Sequence, residues 1–359
     1  MQESESISNS IPFTRIIRNV LIFGLVVTLL GEFLFRKRYA EPARTATPEI
    51  VAVQEHLRLD STIGFTWKPN IPASSNILFD SQDAEPYPLS TDAQGFINTP
   101  EAINRIDARS TVDIVGLGDS FLEHGATVLT DFFRTHNLDY YNLAMHRQSP
   151  PQYTDILETY AKPLKPKWIV YSIFENDFKE IDDYLRWKDS GLDWFTYHSG
   201  TWCGTPLPLT TSEQLRDTYL RGYSALYTAV QSRFLGDALS TKGPPPNTPG
   251  LIAREINRAY DLAHDEGISF VVLFIPARGS ILGGPSLEST AYDAVIPYLN
   301  EAEVHYIDLR SVFNDHEDSP SLYYKINGHW SPKGITIAAE SILSHMNEHS
   351  ILSKSETNP

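Results

Sequence analysis

The residues best placed for chemistry gather in four short blocks. The first, Gly118-Asp119-Ser120, ends the apolar run Val112-Asp113-Ile114-Val115-Gly116-Leu117. A serine at the carboxyl end of a parallel strand, beside a helix N-terminus, is where an open α/β sheet gathers its ligands. A serine hydroxyl is a poor nucleophile until a base takes its proton. Ser and Asp are also the residues that cap helices, so this block by itself reads either as a nucleophile or as a cap. Three more blocks follow: Asn142-Leu143-Ala144, then Glu175-Asn176-Asp177, then Asn327-Gly328-His329-Trp330-Ser331-Pro332. The imidazole of His329 titrates near neutral pH, which suits it to proton transfer. Taken singly, His329 reads equally as a helix-start histidine packed on Trp330, and Asn176 as an Asx turn.

The blocks fall at the ends of regular elements. Apolar runs predict strands over Val112–Val115, Tyr140–Ala144, Trp168–Phe174, Ile268–Ile275 and Val304–Leu309. Helical spacing predicts helices over Leu122–Phe133, Pro151–Tyr160, Ile252–His264 and Ser289–Leu299, and from Ser331-Pro332 to about Asn347. Strands alternating with helices mean a parallel sheet covered on both faces, a three-layer α/β/α sandwich of flavodoxin-like type. The strand ends at Gly118–Ser120 and Phe174–Asp177 then share one edge. Ahead of this pattern, Ile63–Asn98 reads as short strands and turns that pack onto the core. Between residues 189 and 249 the periodicity fails, yet Trp194, Phe195, Tyr197, His198, Trp202 and Tyr219 argue against disorder. The insert reads as a lid or substrate wall, or else as a packed excursion.

Composition narrows the function. A formal charge of -16 over 359 residues argues against a nucleic-acid surface. The single cysteine, Cys203, excludes an intrachain disulfide and, without a nearby partner, makes a zinc site there implausible. His264, His305 and His316 show no metal spacing and read as structural or surface residues, so no metal is expected. No phosphate-cradling glycine motif appears, and no cofactor is expected. Ser120 lacks a Gly-x-Ser-x-Gly elbow, which disfavours an α/β-hydrolase. The apolar run from Ile16 to Phe35 matches the roughly 17 to 25 residues that a membrane span needs, with Arg18 snorkelling and Glu32 near the interface. Residues 38–43 offer no small-x-small cleavage site, which favours an uncleaved anchor over a signal peptide. Arg15 and Arg18 flank one side, and Arg36, Lys37 and Arg38 the other; this one-charge margin would put the carboxyl flank in the cytoplasm. The expected organisation is a tail over 1–15, an anchor over 16–38 and a tether over 39–60. A domain over 61–349, holding the 189–249 insert, and a tail over 350–359 complete it.

The four blocks, in order, resemble those of the SGNH (GDSL) hydrolase superfamily, above all membrane-anchored members with a late Asp-Gly-His-Trp-x-x-x-Gly block; Gly334 fills its last position. Gly64-Phe65-Thr66-Trp67-Lys68-Pro69-Asn70 and Gly95-Phe96 resemble the lead-in of those members, and the likeness covers about residues 60–348. The resemblance implies Ser120 as nucleophile, His329 as base and Asn176 as a side-chain oxyanion donor beside the Ser120 N–H. It departs at three places. Asn327 stands where the acid that orients the histidine is usual; an amide can accept the imidazole N–H but brings no charge. Arg147 stands where a loop glycine usually lends a backbone donor. A backbone N–H survives that change while glycine geometry does not, and Arg147 could instead bind an anionic substrate. Phe174 replaces the glycine before Glu175-Asn176-Asp177. Asp119, Arg147 and Trp330 are the expected substrate-facing residues. The expected function is a serine esterase or O-acyltransferase acting on O-acyl esters, acetyl foremost, of envelope carbohydrate. That substrate would place the domain outside the cytoplasm, against the flanking charges. The alternative is a catalytically silent domain that binds glycan or an envelope protein partner.

Overall fold

In the computed structural model the five expected strands line up as one parallel sheet. The structure describes residues 13–38, 56–72, 75–76, 88–109, 111–197, 201–202, 205–206, 226, 247–281, 287–324 and 328–356. Asn327, the tether over 39–55 and most of the 189–249 insert lie outside the described residues.

The chain divides into two units, residues 1–47 with 209–241 and residues 48–208 with 242–359. In the first, helix α1 (Phe13–Arg38) carries the window Ile17–Leu34, whose mean hydropathy of 1.8 and length suit a membrane crossing. Glu32 interrupts this run, and its Oε2 accepts the Leu226 N–H at 3.1 Å.

The second unit opens with β1 (Leu57–Asp60), paired antiparallel to β2 (Gly64–Trp67). Leu57–Asp60 is thus a strand rather than the end of a tether: the Leu57 side chain is buried, and the Asp60 carboxylate closes the turn onto the N–H groups of Thr62 and Ile63. Then follow α2 (Pro100–Arg109), β3 (Ile114–Leu117), α3 (Ser120–Thr135), β4 (Tyr140–Asn142), α4 (Pro150–Ile156), β5 (Trp168–Ile173) and α5 (Asp177–Ser190). Helix α6 (Thr248–His264), β6 (Ser269–Phe274), α7 (Leu287–Glu301), β7 (Tyr306–Asp308) and α8 (Pro332–Glu356) complete it. Strand β3 begins two residues later than expected because Asp113 works as a turn: its Oδ2 accepts the Asp139 N–H at 2.8 Å. Helix α8 runs on through most of the expected tail to Glu356.

The sheet order is β7-β6-β5-β3-β4. Numbered by chain order within the sheet this is 2-1-3-4-5, the flavodoxin-like arrangement, whose switch point lies between β3 and β5. Alternation along each strand sends residues to opposite faces. Val115, Leu117, Tyr171, Val272 and Phe274 join the helices α4, α6 and α7 in one core. Ile114, Val170, Val271 and Leu273 join Leu122, Leu129 and Phe133 of α3 and Ala338 and Ile342 of α8 in the other. A third cluster packs Phe65 and Trp67 of the lead-in with Met145, Trp187 and Trp194.

Candidate active site

Ser120 is the first residue of α3, so its N–H is one of the helix's unpaired amino-terminal donors. Asp119, not Ser120, caps that helix: its Oδ1 accepts the Phe121 N–H at 3.0 Å. The Ser120 hydroxyl is thereby released from capping, and it lies 2.8 Å from His329 Nε2. The sharp exit from β3 needs Gly118, where a Cβ would come within 1.9 Å of Ser172 Oγ.

His329 is delivered by the loop ahead of α8. Trp330 is fully buried, and its indole N–H donates to the Phe121 carbonyl at 2.7 Å, tying the histidine loop to the first turn of α3. Backbone bonds from Tyr324 N to His329 O and from Ser331 N to Leu322 O clamp the same loop. Gly334 lets the Leu322 carbonyl pass close to α8: a Cβ there would sit 2.3 Å from that oxygen. Trp330, expected to face substrate, is instead fully buried behind the histidine loop. Asp119 is likewise buried beneath the helix end rather than substrate-facing.

Burial, and second the neighbouring His146, hold the His329 imidazole down at about 4. Among the described residues no carboxylate offsets this. The ring is therefore neutral at pH 7. It lies tilted to the Phe121 ring at 4.8 Å and stacked with His124 at 4.1 Å.

The other two blocks border the same point. Met145 N donates to Gly118 O at 3.0 Å, which lays the loop after β4 beside the serine block. Asn142 is consumed in holding that loop, with its side chain bonded to Ile97 O, Ala144 O and Ala144 N. Arg147 adopts φ 57, the left-handed region where glycine is at ease. The glycine-like geometry expected to be lost is kept by the arginine. Burial raises the Glu180 carboxyl to about 7, with the Arg147 charge pulling it back. The Arg147 charge is thus felt by a carboxyl of this chain that titrates near neutral pH. Asn176 precedes α5, and its Nδ2 donates to Glu180 Oε2 at 3.1 Å, while the same side-chain amide favours the ionised form of the Asp119 carboxyl. Asp177 fixes the turn: its Oδ2 accepts the Phe174 N–H and its Oδ1 the Tyr153 hydroxyl.

Sequence reasoning missed the layer beneath. Glu123 is fully buried and accepts from Trp67 Nε1 at 2.7 Å, from His146 N at 3.1 Å and from His146 Nδ1 at 2.7 Å. It joins the lead-in, the loop after β4 and α3 in one network. The visible signal was a carboxylate inside the apolar stripe of α3. His124, held well below its ordinary value by burial first and His329 second, belongs to the same layer.

Residues 250–358 match the family model of the SGNH hydrolase-like domain, acetyltransferase AlgX. The match contains His329; Ser120 lies outside it. Among solved structures, the chain is similar to a GDSL-like lipase from Bacteroides thetaiotaomicron, at 13% identity, covering 68% of this chain and 97% of that one, with a TM-score of 0.41. It is also similar to an acetyl xylan esterase, at 11% identity, 65% and 99% coverage and a TM-score of 0.42. A catalytic mutant of an acetylxylan esterase from Geobacillus stearothermophilus gives 11% identity, 65% and 93% coverage and a TM-score of 0.37. No curated protein matches the chain.

Proposed function

We propose that this chain, an SGNH (GDSL) hydrolase-like protein by its sheet and its carboxy-terminal match, is a serine esterase or O-acetyltransferase working through an acyl-enzyme on Ser120. The observation that carries the reading is the 2.8 Å contact between His329 Nε2 and Ser120 Oγ, brought together from opposite ends of the domain. Ser120 Oγ attacks the acyl carbonyl while its proton passes to His329 Nε2. The oxyanion forms against the Ser120 N–H, the Arg147 N–H and the Asn176 side-chain amide, which must turn part-way from its carboxylate partners Glu180 and Asp119. Collapse breaks the ester bond, and the leaving oxygen takes the proton from His329. Water or a sugar hydroxyl then attacks the acyl-enzyme by the same steps in reverse, with His329 as base again.

The pair works as a dyad. Asn327, two residues before His329, would orient the ring through its amide oxygen, which brings no charge of its own. The acetyl group is supported by the acetyltransferase family matched over residues 250–358. Carbohydrate of the cell envelope is the proposed acceptor or donor. The helix over Phe13–Arg38 is the proposed anchor, holding the domain outside the cytoplasm.

The test is release of acetate from a chromogenic acetyl ester, with and without added oligosaccharide. Ser120→Ala should abolish it. Asn176→Ala should lower kcat by about 100- to 1000-fold, the usual effect of losing an oxyanion donor. Turnover unchanged in Ser120→Ala would sink the reading.

A further inference from the structure

Three imidazoles meet far from the serine, at the opposite end of the sheet. His305 immediately precedes the edge strand β7, at its amino end, whereas the serine block follows the carboxyl end of β3. His345 and His349 stand one turn apart on α8. Each ring offers one nitrogen, and these three atoms lie within 4.8 Å of one another. The rings of His345 and His349 stack at 4.0 Å, and His305 meets His349 edge-on at 4.1 Å.

The protonation pattern suits a ligand set. His349 Nδ1 lies 2.8 Å from the His345 carbonyl oxygen, so this nitrogen carries the proton and Nε2 carries the lone pair. A backbone carbonyl fixing the far nitrogen is the usual support of a metal-bound imidazole. His345 Nε2 is buried and has no hydrogen-bond partner. An imidazole coordinates through the lone pair of an unprotonated ring nitrogen. Tetrahedral zinc with Zn–N near 2.0–2.1 Å sets its ligand nitrogens about 3.3 Å apart. The three nitrogens lie within 4.8 Å of one another, and the exposed His305 ring at the end of its loop has room to turn towards that spacing.

We propose that His305, His345 and His349 bind one borderline divalent transition-metal ion, zinc foremost, with water in the fourth position. Neutral imidazole favours such ions over magnesium or calcium, which take oxygen ligands. The ion would clip α8 to the edge strand and so stabilise the fold. The site stands independently of the proposed catalysis.

The test uses the full chain in detergent, stripped with a chelator and titrated with Co²⁺, followed by visible absorption and displacement by Zn²⁺. The expected result is one tetrahedral Co²⁺ per chain, displaced by Zn²⁺, with a higher melting temperature in Zn²⁺. His305→Gln and His349→Gln should each weaken binding at least about tenfold, while far-UV circular dichroism of the stripped proteins stays unchanged. His329→Ala should bind as the parent does, since the catalytic imidazoles are not the ligands. No binding, binding that survives both glutamine variants, or binding lost in His329→Ala would overturn the proposal.

Discussion

Ser120 and His329 share a hydrogen bond across 209 residues of sequence, and their block contexts already marked both as candidates. What the sequence could not convey is the electrostatic state, because that depends on what packs around each ring. His329 sits at about 4 rather than at its ordinary 6.5, through burial and His146. If it is the base in the free enzyme, the acidic limb of kcat/KM should fall near pH 4, well below an unperturbed histidine. A pH-rate profile on a neutral ester checks this; a limb near 6.5 would contradict it. Asp119 makes a second case. Burial lifts its carboxyl to about 6, against the pull of the Phe121 N–H. Its folded pKa lies above the unfolded one, so folding takes up a proton between about pH 4 and 6. The stability tied to that proton is present at low pH and lost as pH rises through 6. Asn caps a helix as well as Asp does. Asp119→Asn should therefore gain stability over the parent as pH rises from 4 to 7, by up to roughly 2–3 kcal/mol. Urea melts at the two pH values measure it.

Elements were the most legible level. Each expected strand and helix of the sheet is present, because continuous apolar runs and helical stripes report burial directly. The misses came where polar chemistry overrides pattern. Asp113 turns the chain where a strand was expected to start, and Leu57–Asp60 forms a strand inside a polar stretch by pairing with Gly64–Trp67. The network under the site was hidden for the same reason: Trp67, Glu123 and His146 are distant in sequence and meet only once three elements are packed. Glu123→Ala strips the acceptor from three buried donors, Trp67 Nε1, the His146 backbone N–H and the His146 ring. It should destabilise the domain by on the order of 3 kcal/mol. Glu123→Gln keeps an acceptor oxygen and should cost clearly less. Equal melting temperatures for the two variants would show that the network contributes little.

At the scale of the whole molecule, the sheet order places the switch point between β3 and β5, and the serine and the Asn176 turn follow those two strands. One fold rule thus accounts for why blocks spread over some 200 residues meet at one place. The histidine trio escaped the sequence reading because His305 has no neighbour at ligand spacing; its partners lie on the last helix, and only the packing of α8 beside β7 unites them. The amino-terminal helix carries its own prediction. A span as apolar as Ile17–Leu34 should keep the full chain in the membrane fraction through alkaline carbonate extraction. A chain beginning at Thr47 should be released to the soluble fraction. Full-length expression that yields a soluble, shortened protein would point to a cleaved signal peptide instead.

The most direct test of the central claim is covalent: the full chain is treated with a fluorophosphonate probe and the adduct located by mass spectrometry, with Ser120→Ala and His329→Ala beside it. An activated serine predicts a single adduct on Ser120, absent from both variants. A folded protein that never labels, or labels equally in His329→Ala, would contradict it and favour a domain that binds glycan or an envelope protein without turnover.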